Sequence, residues 1–202
     1  MKQRILTLYV IGLLLSTAVL AALPTEAEGA IYNDVIRLHI LANSDSAEDQ
    51  AMKIAVRDAL LLRFGERIGS YRDRAEAEAE ITKLLSEMEN TARQTLIEKG
   101  SSEAVTVSLS ESTYDRRYYG SFTMPAGPYL SLEVRIGEGD GQNWWCVLFP
   151  PLCTETAYGE FVYDEDSLPV GLTPEEYRLI TGESEGYRVK FKVLEVLSEV
   201  FG

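Results

Sequence analysis

Gly137-Glu-Gly-Asp-Gly-Gln-Asn-Trp-Trp-Cys-Val-Leu-Phe-Pro-Pro-Leu-Cys153 holds both tryptophans and both cysteines of a 202-residue chain. Glycines at alternate positions, Gly137, Gly139 and Gly141, permit a tight loop with φ > 0. The aromatic and β-branched run from Trp144 to Phe149 favours a strand. Pro150-Pro151 then stops further ladder pairing. Consecutive strand residues point to opposite faces, so Trp144 and Trp145 fall on opposite sides of a sheet. One anchors the core; the other is covered by a helix or offered to a partner, where tryptophans are frequent anchors. Both being buried in a two-layer fold is an equal reading.

Outward from that stretch, the same period of two recurs. Leu130, Leu132, Val134 and Ile136 alternate along 129–136, and Val105, Val107 and Leu109 alternate with Thr106, Ser108 and Ser110. Residues 114–123 read as the hairpin partner of the latter strand, turning near Asp115-Arg116-Arg117. Earlier, 35–42 reads as a strand with Ile36, Leu38 and Ile40 on one side and Arg37 and His39 on the other. Strands in sequence with short loops predict an antiparallel sheet.

Two long helices separate the first strand from the others. Ser46, with Asp49 three residues on, resembles a capping box and opens a helix over 47–64. Its apolar side is Met52, Ala55, Val56, Ala59 and Leu62, while Asp49, Lys53 and Arg57 line the wet side. Asp73 caps the second, whose stripe Ala77, Ile81, Leu84, Leu85, Met88, Ala92 and Leu96 runs to Gly100. Glu76, Glu78 and Glu80 read as its solvated first turn, favoured by the helix dipole. Thr173-Pro-Glu-Glu176 is a capping box with proline at the first helical position, so a short helix runs to Thr181; 187–200 reads as a further helix. The predicted class is α+β: an antiparallel sheet of four to five strands packed against two long helices, preceded by an N-terminal hydrophobic export helix.

That N-terminal helix is the first functional fact. Met1-Lys-Gln-Arg4 is a short positive region, and the run from Ile5 to Leu23 carries no charge. Residues 1–23 therefore read as a signal peptide or membrane anchor, 24–30 as a tether and 31–202 as a single domain. Membrane contact is expected only through this first segment. The formal charge is −13, with 32 acidic against 19 basic residues. Such a body is repelled by phosphates, so nucleic acid is not an expected partner. Export also makes the cysteines informative. Cys146 and Cys153 flank the Pro-Pro corner and form a small-loop disulfide in one reading; in the other, Cys146 is a core thiol and Cys153 a free neighbour.

The chemistry names no reaction. With a single histidine, any Cys-His or Ser-His mechanism must use His39, and Cys146 lies in an apolar run where burial makes a thiol inert. Two cysteines and one histidine do not make a four-ligand zinc site. The glycine loop lacks a calcium-loop pattern and leads into a strand, not into the helix N-terminus of a phosphate loop. No catalytic, cofactor or metal residue is assigned.

A resemblance supplies what chemistry does not. Arg37-Leu-His-Ile-Leu-Ala-Asn-Ser-Asp-Ser-Ala-Glu-Asp-Gln50, then Lys53-Ile-Ala-Val-Arg-Asp58, then the Gly137 to Cys153 stretch, together resemble the stage II sporulation protein R family of endospore-forming bacteria. The likeness covers 31–155 firmly. It implies a protein made in the forespore and exported into the space between forespore and mother-cell membranes. There, members trigger a membrane-bound aspartic protease that removes the pro-segment of the mother cell's early sigma factor, sigma-E. The expected role is thus a messenger, not an enzyme; an extracytoplasmic hydrolase using Cys146 or acidic pairs is the alternative. Exposed residues of the two blocks are the expected contacts with the protease: Arg37, His39, Asn43 and Asp45 in the first, and Asn143 with Trp144 or Trp145 in the second.

Overall fold

The computed structural model describes residues 2–22, 26–120, 122–152, 168 and 171–182. Helices α1 (Lys2–Ala22) and α2 (Glu26–Asp34) precede strand β1 (Ile36–Leu41). Helix α3 (Ala47–Leu60) continues through a π-helical turn, Leu61–Gly65, into α4 (Glu66–Gly69), and α5 (Arg74–Glu98) follows. Strands β2 (Val105–Tyr114), β3 (Arg117–Tyr118), β4 (Thr123–Met124), β5 (Gly127–Ile136) and β6 (Asn143–Phe149) come next, then α6 (Pro174–Thr181). The helix expected over 187–200 lies outside the described residues.

The main sheet has the order β2-β5-β1-β6. It is mixed, which corrects the antiparallel expectation. β1 runs parallel to β5, with Leu38 beside Leu132 and His39 beside Glu133, and antiparallel to β6. A parallel pair needs a long crossover, and α3 to α5 supply it. A second correction concerns the hairpin. β2 pairs with β5 from Val105–Ile136 to Tyr114–Gly127, while β3 and β4 pair only with each other. The ten-residue apolar alternation of β5 suits β2 better than 114–123, which contains Asp115, Arg116, Arg117 and Gly120.

Each face of the sheet has its own core. On one side α3, the π turn and α5 cover Leu38, Ile40, Leu132, Val134 and Leu148 with Val56, Phe64, Ile81 and Met88. On the other, Ile31 of α2, Val35 just after it, Phe122 and Met124 around β4, and Leu172 and Ile180 at α6 pack on Tyr114, Tyr129 and Val147. Covered on both sides, β1 is buried along its whole length. The expected tether at 24–30 is therefore part helix: α2 begins at Glu26, and its Ile31 has a sheet to bury against. The Tyr32 hydroxyl ties α2 down by donating to the Ala126 carbonyl at 2.8 Å.

Three expected exposures also change. Leu62, placed on the apolar side of the first helix, is 90% exposed. The buried side runs through Val56, Leu60, Leu61 and Phe64, and Leu62, two residues past Leu60, falls on the opposite side of the helix. Lys53, placed on the wet side, is buried. Glu80, placed in a solvated turn, is also buried and ion-paired with Arg67, with Lys83 at 3.5 Å.

A candidate docking site on the sheet

The two sequence blocks meet at one corner of the sheet. Asn43 follows β1, and its side-chain carbonyl accepts the Glu138 N–H at 3.0 Å while its amide donates to Asp49 at 3.0 Å. The backbone joins in: Asp140 N–H donates to the Asn43 carbonyl at 3.2 Å and Gly141 N–H to the Ala42 carbonyl at 2.9 Å. The Asp45 carboxylate accepts from Gln142 N–H at 2.6 Å. From α3, Lys53 donates to the Gln142 carbonyl at 2.7 Å.

That corner explains the glycines. Gly137 and Gly139 have φ of 55° and 70°, the left-handed region that a side chain resists. Gly141 has ordinary φ, but a Cβ there would strike the Ser44 carbonyl. The half-formed capping box also resolves here. Ser46 accepts from Asp49 N–H, but the Asp49 side chain turns to Ser44 and Asn43 instead of closing the box. Those two hydrogen bonds hold the Asp49 carboxyl below its usual range, and burial pushes the Lys53 ammonium down.

On the α2 side of β1 lies a polar and aromatic cluster. Arg37 is fully buried, with its guanidinium 4.5 Å from the Tyr114 ring centre and 5.1 Å from that of Tyr129. It donates to the Tyr119 hydroxyl, while its Nε and one terminal nitrogen meet no hydrogen-bond partner among the described residues. Cation–π contact is thus its main compensation for leaving water. Burial raises the pKa of both Tyr114 and Tyr119. Next along β1, the His39 ring stacks on Trp145 at 3.5 Å and 9°. Its Nδ1 lies 3.6 Å from Glu133. Burial pushes His39 down to about 4 despite that carboxylate, so the imidazole is neutral at pH 7.

The tryptophans divide as strand geometry requires. Trp144 packs on the helical core beneath the Arg57 guanidinium at 5.0 Å. Trp145 takes the opposite face, with Arg117 4.7 Å above its ring and Tyr114 edge-on at 4.8 Å. Both are half-buried, and Asn143 is exposed. Cys146 is buried and disulfide-bonded; its expected partner, Cys153, lies outside the described residues.

Of the residues named from sequence, Arg37 and His39 are thus internal, and Asn43 and Asp45 brace the glycine loop. Asn143 and Trp145 remain accessible, with Arg117 over the Trp145 ring. Sequence reasoning missed Tyr114 and Glu133, placed in the cluster by strand register, and Arg117 and Tyr119, which reach it from β3 and the turn after it. Among the described residues, no cluster of His, Cys, Asp or Glu is arranged to hold a metal ion.

Comparison with known proteins adds two findings. Residues 32–159 match the family model described as stage II sporulation protein R. The chain is 32% identical over 223 residues to the stage II sporulation protein R of Bacillus subtilis (strain 168), with both chains covered in full. No solved structure matches.

Proposed function

The chain belongs to the stage II sporulation protein R family, and from that premise we propose that it is an exported sporulation signal. In this reading it leaves the forespore, enters the intermembrane space and activates the membrane-bound aspartic protease that processes pro-sigma-E in the mother cell. An activator shifts a protease toward its active state only by binding that state more tightly. A binding surface, not a reaction centre, is what the role requires.

One observation carries the export step. Helix α1 keeps Leu6, Leu8, Tyr9, Leu13, Leu14 and Leu15 more than 60% exposed, and Lys2 and Arg4 precede them. An apolar helix with a basic start and long stretches of exposed leucine suits an export signal or anchor. Among the described residues, no helix is long and apolar enough to cross a membrane, so exposure and the basic start are the grounds. The bonded Cys146 favours an oxidising compartment as well. It also weakens the alternative of an extracytoplasmic thiol hydrolase, because a bonded sulfur is no nucleophile. On the sheet, the accessible Asn143 and Trp145, with Arg117 over the Trp145 ring, form the docking surface this reading favours.

Co-expression with the protease and pro-sigma-E in a non-sporulating host tests it. Processing is expected with the full chain and not with a version lacking residues 1–23 that stays in the cytoplasm. Full processing by that confined version would overturn the exported route.

A further inference from the structure

We propose that the outer edge of β2 receives an extended, basic segment of a protein partner, which adds to the sheet as a strand beside β2. β2 ends the sheet order. Gly137 N–H donates to the Ala104 carbonyl at 2.8 Å, which sets the phase of the antiparallel ladder. The even positions from Thr106 to Tyr114 bond inward to β5, and the odd ones point their N–H and C=O outward. Val107 is occupied, since its N–H reaches Glu89 of α5 at 3.4 Å. Beyond it, no strand among the described residues pairs with the edge at Leu109, Glu111 and Thr113.

Free edges are normally blunted by proline, lysine, a bulge or short length. β2 is ten residues long and contains neither proline nor lysine. Its register with β5 runs without a break. Thr106, Ser108 and Ser110 are exposed and small, so side chains on that face leave room for a neighbouring strand. Main-chain hydrogen bonds would supply the affinity, as they do in strand addition generally.

Charge selects the occupant. Glu103, Glu111 and Asp115 are all exposed, and the stretch 103–115 contains no lysine or arginine. Glu89 adds a carboxylate at one end of the open edge. A second copy would set this edge, and a chain of charge −13, against its own kind, and like charges across a strand pair are destabilising. A partner strand with lysine or arginine at alternate positions meets those acids instead. This deepens the activator reading by giving the partner's docking segment a conformation and a charge.

Amide hydrogen exchange of the full chain in detergent micelles tests the edge without the protease. The probe is a ten-residue peptide alternating lysine and valine; the controls replace lysine by glutamate, or place proline at its centre. With the basic peptide at ten times its dissociation constant, exchange at Leu109, Glu111 and Thr113 should slow about tenfold. Neither control should slow it, and Glu111→Lys should weaken the effect. Equal protection by the glutamate peptide overturns the charge claim, and no protection overturns the edge claim. Protection that grows with protein concentration alone assigns the edge to a second copy and also overturns the proposal. Failure here leaves the exported-activator reading standing, whereas failed processing by a chain that still binds the peptide counts against that reading alone.

Discussion

At the scale of single residues, the first block is mostly internal bracing. Asn43 joins the β1 end, the glycine loop and α3 through one amide. Asn43→Ala should cost about 2 kcal/mol, the sum of one neutral and one charge-assisted hydrogen bond. Urea unfolding checks this; an unchanged midpoint would show that the corner holds without it. His39 gives a pH signature. Its folded pKa is about 4 against 6.5 ordinarily, so between these values the unfolded chain binds more protons. Stability is therefore full above pH 6.5 and is lost as the pH falls toward 4. His39→Phe keeps a ring on Trp145 but removes the titration. It should abolish about 1–2 kcal/mol of the loss between pH 7 and pH 5, allowing for solvent at the ring edge. Little of this was legible beforehand. That Arg37 and His39 share a face follows from alternation, but that the face is covered depends on α2, where the sequence reads only a tether, and on α6, far along the chain.

At the scale of elements, local chemistry was the more legible part. Ser46, Asp73 and Thr173 cap their helices as their spacing predicts, because a cap is decided within a few residues. Strand partners were not legible: β2 had two candidate neighbours, and only burial across the whole sheet chooses β5. The π turn is not legible for a similar reason, since one extra residue leaves no composition signal. The contact between α2 and α6 makes its own prediction. Burial, and a hydrogen bond that protonated Asp34 donates to the neighbouring Glu176 carboxylate, push Asp34 up to about 6, with Arg74 pulling it down and Asp73 adding to the rise. The folded state then holds a proton that the unfolded chain releases near pH 4. This contribution favours folding at low pH and is lost as pH rises through 6. Asp34→Asn should raise the Tm at pH 7.5 and leave it nearly unchanged at pH 4.5. A calorimetric scan showing the same shift at both pH values would contradict a shared proton.

At the scale of the whole molecule, three parts divide the work. An exposed apolar helix precedes an acidic domain, one sheet face is closed by the long helices, and the other carries a half-open aromatic group. Composition had indicated an exported, acidic domain that does not bind nucleic acid. The proposed docking face is only half legible in the sequence, because Trp145 is named there but Arg117 reaches its ring from β3, which pairs only with β4. The most direct test of the central claim is photocrosslinking in sporulating cells, with a photoreactive residue at Arg117 or Asn143 near Trp145, or at Leu62 on the helical layer. The account predicts a crosslink to the membrane protease from Arg117 and Asn143 and none from Leu62. Crosslinks from Leu62 alone, with sigma-E processing intact in all three variants, would contradict it.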